Sequence, residues 1–108
     1  MSKLHLKANP TLQDYQQYVR DMIEERGFKD ETIQDLLMLL MEECGELARA
    51  CRKYTSIKSD ANREQQENLQ HELADILMYV FAIANKYQLD LEKAFRDKEE
   101  INKQRIWK

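Results

Sequence analysis

A chain with a single proline and two glycines among 108 residues has few places at which to turn sharply. A sheet of several strands needs turn residues at short intervals, and this sequence does not supply them. Long helices with short connections remain, and apolar residues recur at helical spacing through two extended stretches. Asn9-Pro10-Thr11 followed by Asp14 reads as a helix start, with Thr11 as N-cap and Asp14 reaching back to it. That helix is predicted to run to about Arg26 and to stop at Gly27. A second opens near Asp30 to Thr32 and continues through Tyr54. A third spans about 61–87, and a fourth opens at Asp90 and runs towards the C-terminus. The expected fold class is all-α, an antiparallel four-helix bundle. Residues 1–9 are read as an N-terminal arm and 10–108 as one helical domain.

Charged residues make up 34% of the chain, yet the net charge is only -3, so no broad electropositive surface for nucleic acid is implied. No apolar run approaches the ~18–20 residues needed to span a bilayer, and the first residues carry no signal-peptide pattern. Cys44 and Cys51 lie seven apart on one predicted helix, roughly 10 Å apart in rise and too far for a mutual disulfide. With no His/Cys cluster they are expected to be small buried residues of a reduced, cytoplasmic protein.

Two pairs of carboxylates break the apolar pattern. Glu43 and Glu46 fall in EECGE, and Glu72 and Asp75 in HELAD. The midpoint of 46 and 72 is Ser59, as is that of 43 and 75, and Ser59 sits in the turn-like stretch SIKSDANRE. Folded as an antiparallel hairpin, the two long helices bring Glu46 level with Glu72 and Glu43 level with Asp75. Four acids at one height repel one another and call for a cation.

Direction matters more than spacing. At about 100° per residue, Leu36, Leu40, Cys44, Leu47, Cys51 and Tyr54 form the main stripe of the second helix. Leu69, Leu73, Ile76, Val80, Ile83 and Tyr87 form that of the third. Glu43 and Glu72 project into or beside these stripes, with Glu46 and Asp75 at their borders. An unpaired buried carboxylate is costly, so two merely solvated faces account poorly for this placement. On the fourth helix Lys98, Asn102 and Arg105 fall on the apolar side with Leu91, Ala94, Phe95 and Ile101. That row suits the phosphates of a polyphosphate. Met38, Met41, Gly45 and Ala48 make the second helix apolar on a further side, the mark of a homo-oligomer interface. No Glu-x-x-His pair occurs, which sets aside a di-iron bundle.

Glu42-Glu43-x-x-Glu46 followed by Glu72-x-x-Asp75 resembles the EExxE…ExxD signature of the MazG-like, all-α nucleoside triphosphate pyrophosphohydrolases. Lys98-x-x-x-Asn102-x-x-Arg105 is similar to the family's KxxxNxxR ending, and the likeness covers roughly residues 11–107. The resemblance implies that Glu43, Glu46, Glu72 and Asp75 coordinate Mg²⁺, or Mn²⁺ in its place. It implies that Glu42 positions or deprotonates the attacking water, and that Lys98, Asn102 and Arg105 contact the phosphates or sugar. The implied reaction cleaves a (d)NTP to (d)NMP and pyrophosphate, in a homodimer or homotetramer. Two alternatives stay open: a phosphoribosyl-ATP or dUTP/dUDP specialist on the same scaffold, and a non-catalytic nucleotide-binding helical module. Relatives place tryptophans against the base, whereas the single tryptophan here is Trp107. Tyr15, Tyr18, Phe28, Tyr54, His71 and Tyr79 are candidate base contacts that the sequence does not separate.

Overall fold

The computed structural model describes residues 1–54 and 60–106, with residues 60–63 as backbone only. The polar turn around Ser59 and the terminal Trp107 lie outside the described residues. Among the described residues four helices account for the regular structure: α1 (Leu12–Glu25), α2 (Ile33–Lys53), α3 (Asp60–Lys86) and α4 (Leu91–Lys103). No strand occurs among the described residues, so the chain is all-α as expected. None of their helices is long and apolar enough to cross a membrane.

Local chemistry fixes the helix ends. At α1 the Thr11 hydroxyl accepts from the Asp14 backbone N–H (3.2 Å), while the Asp14 carboxylate accepts from the Thr11 N–H (2.8 Å). Thr32 and Asp35 repeat this reciprocal cap at α2, at 3.1 and 2.9 Å. Each box satisfies two backbone donors that a helix N-terminus leaves without intrahelical partners. Asp90 opens α4 by accepting from the N–H groups of Glu92 and Lys93. Gly27 follows α1 at φ 76°, a left-handed position that suits a residue without Cβ. Gln88 takes the same role after α3 at φ 56°, and the Leu89 N–H returns to the Ala84 carbonyl at 2.9 Å, closing the helix end.

The chain forms two compact units. The first comprises Met1–Asp30 and Ala84–Lys108, and so takes in α1, the last residues of α3 and all of α4. Val19 and Met22 are buried on α1, and α1 lies against α4. The buried polar centre of this unit is Gln16, only 5% exposed. Its carboxamide nitrogen donates to Asn85 Oδ1 (3.0 Å) and to the Leu89 carbonyl (2.8 Å), and its oxygen accepts from the Leu91 N–H (2.9 Å). The Asn85 amide donates in turn to the Gln16 carbonyl at 2.9 Å. One side chain of α1 therefore satisfies the backbone of the turn that joins α3 to α4.

The second unit is Glu31–Ile83, which holds α2 and most of α3. The covered stripe of α2 runs through Leu36, Leu40, Glu43, Leu47 and Ala50, of which Leu36 is 2% exposed. That of α3 runs through Leu69, Glu72, Ile76, Tyr79 and Ile83. These stripes correct the expected ones. Cys44, Cys51 and Tyr54 are exposed, as are Leu73, Val80 and Tyr87. For Cys44, Cys51, Leu73 and Val80 the reason is rotational, since each directly follows a residue of the covered face and is turned from it by about 100°. Tyr54 and Tyr87 lie on the covered faces by angle but stand just past the ends of α2 and α3. The two thiols are thus free and exposed rather than buried.

Candidate metal centre

Glu43 from α2 and Glu72 and Asp75 from α3 converge. Each offers a carboxylate oxygen, the three oxygens lie within 4.8 Å of one another, and all three residues are half-buried. This meeting fixes the direction of the helices. From Glu43 to Lys53 α2 rises about 15 Å, and from Asp60 to Glu72 α3 rises about 18 Å. The six residues 54–59 span at most about 25 Å, less than the ~33 Å that a parallel arrangement demands. The helices therefore run antiparallel, as the symmetry about Ser59 predicts.

The electrostatics of the cluster are those of a site short of positive charge. Hydrogen bonding to Glu72 is the largest influence on Glu43 and, with burial and the charges of Glu72, Asp75 and Glu46, pushes its carboxyl up to about 7. A Glu43 carboxyl so raised keeps its proton further towards neutral pH than an ordinary glutamate unless a cation screens the neighbouring charges. The other oxygen of Glu72, Oε2, is buried and accepts no hydrogen bond. Such an orphaned buried acceptor, beside two further carboxylates, fits a hard divalent cation, which takes oxygen ligands and keeps some waters.

The remaining expected residues are placed as follows. Glu46 is exposed one turn beyond Glu43 and lies outside the trio, though its charge contributes to the rise at Glu43. Glu42 is exposed on α2. Lys98 and Asn102 lie on α4, with Lys98 exposed and Asn102 half-buried, and the exposed Arg105 follows the helix end. Tyr79 is set apart from the other aromatics. Burial, followed by the charges of Glu43, Glu31, Asp75 and Glu42, holds its hydroxyl above the ordinary tyrosine range. Its position was legible in principle, since it stands four residues after Asp75 and seven after Glu72 on one helical face. Glu31, just before the α2 cap, was not singled out by any motif.

A pH dependence follows from the raised Glu43. Between the ordinary value of 4.5 and about 7, the folded protein holds a proton that the unfolded chain has released. Stability of the metal-free protein should therefore fall as pH rises through that interval and level off above it. The backbone N–H of Thr11 at Asp14, that of Lys3 at Glu25 and the amide of Gln13 at Asp90 hold those carboxyls below their ordinary values, so their effects lie at lower pH. Thermal melts in EDTA from pH 5 to 8 should show the decline, and millimolar Mg²⁺ should remove most of it.

The fold and the carboxylate trio define an all-α chain whose second unit carries a cluster of acids on two antiparallel helices. The family model of the MazG nucleotide pyrophosphohydrolase domain matches residues 31–105, and the chain belongs to this family of hydrolases acting on phosphoric anhydrides. Among its relatives is the uncharacterized protein YvdC of Bacillus subtilis, 30% identical over 95 residues, which cover 82% of this chain and 90% of that protein. It is also similar to dCTP pyrophosphatase 1 of Rattus norvegicus, 33% identical over 104 residues (89% of this chain and 59% of the rat protein). The protein of that name from Homo sapiens is 31% identical over 107 residues, or 95% of this chain and 63% of the human protein. The match thus spans about three-fifths of the length of these mammalian relatives.

Proposed function

We propose that this chain is a Mg²⁺-dependent nucleotide pyrophosphohydrolase that converts a nucleoside or deoxynucleoside triphosphate to the monophosphate and pyrophosphate. The observation that carries this reading is the half-buried convergence of Glu43, Glu72 and Asp75, with Glu72 Oε2 left without a hydrogen bond. Glu43, Glu72 and Asp75 hold the cation, and Glu46 joins them by a rotation of an exposed side chain. Mg²⁺, or Mn²⁺ in its place, neutralises phosphate charge and makes a water more acidic. Glu42 accepts the proton of the attacking water. Oxygen adds to the α-phosphorus, the bond from that phosphorus to the α–β bridging oxygen breaks, and pyrophosphate leaves. Lys98, Asn102 and Arg105 engage the phosphates or sugar, roles suited to a point cation, an amide and a planar guanidinium.

The names of the mammalian relatives put dCTP first among the substrates to try. The test is pyrophosphate release with Mg²⁺ across the common (d)NTPs, dUDP and phosphoribosyl-ATP. Turnover of one group of triphosphates, abolished by EDTA, is expected. Turnover of phosphoribosyl-ATP alone, or of nothing by a folded protein that binds Mg²⁺, overturns the reading.

The working form is a homodimer or homotetramer. Met38 (69% exposed) and Met41 (68%) stand out from α2, and a Cβ added to Gly45 meets nothing within 4 Å. Nothing among the described residues accounts for a helical glycine that costs about 1 kcal/mol relative to alanine, and a second copy approaching this face would. Met41→Asp should move the sedimentation coefficient to that of a monomer, and an unchanged value would locate the interface elsewhere. The two free thiols suit a cytoplasmic setting.

A further inference from the structure

We draw no further inference here: the strongest candidate, the exposed apolar face of α2 around Leu37, Met38 and Met41, belongs to the self-association already proposed, and nothing in the structure shows what else covers it.

Discussion

Glu43→Gln should lower the rate of pyrophosphate release by about a thousandfold while making the metal-free protein more stable at pH 8. The two halves of this result have one cause. Glu43 stands at the centre of the covered stripe of α2, against Glu72 and within reach of Asp75. In the proposed role its carboxylate would supply charge and an oxygen ligand to a cation. Loss of such a ligand removes several kcal/mol of charge stabilisation, and each 1.36 kcal/mol is a factor of ten in rate. As an amide it no longer repels Glu72 and Asp75, so the fall in stability between pH 5 and 8 should flatten. Opposite movement of activity and stability is the signature of a residue kept for chemistry. A variant retaining more than about a tenth of the activity would remove Glu43 from the site. A variant that lost activity and stability together would make Glu43 a structural residue.

Gln16→Leu should destabilise the protein by about 2–4 kcal/mol, although it places an apolar side chain of similar size at a buried position. The loss lies in what the substitution leaves behind. The Leu91 N–H and the Leu89 carbonyl each lose the side-chain bond that Gln16 made, and Asn85 Oδ1 loses one of its two, all in part-buried surroundings where an orphaned group costs towards the lower end of about 1–3 kcal/mol. The bond from Asn85 to the Gln16 backbone carbonyl survives, as does the one from Arg20 to Asn85, which keeps the total below the sum. Urea titration should show a lower midpoint with an unchanged slope. A loss under about 1 kcal/mol would mean that water replaces the carboxamide.

The caps were legible because they depend on neighbours in sequence. Thr11 with Asp14, the start near Thr32, and Asp90 all follow from side chains three residues or fewer from the groups they bind. The meeting of Glu43 with Asp75 was legible from symmetry about Ser59. The exact rotation of the helices was not. Centring the stripe on Cys44 and Cys51, with Glu43 within or just beside it, turns α2 by roughly 35°, because a hydrophobicity scale assigns carboxylates to the outside. The acid is in fact the centre of the covered face. Gln16 gave no signal at all, since its partners at 85, 89 and 91 are some seventy positions away and it resembles the exposed Gln13 and Gln17 beside it.

The placement of the thiols has a further use. Cys44 and Cys51 share one side of α2 with Leu37, Met41 and Ala48, turned away from Glu43. If a second copy seals that side, a thiol reagent reaches the cysteines only while subunits are apart. Labelling rate then becomes a clock for how often the assembly opens, read without touching the chemistry one residue away.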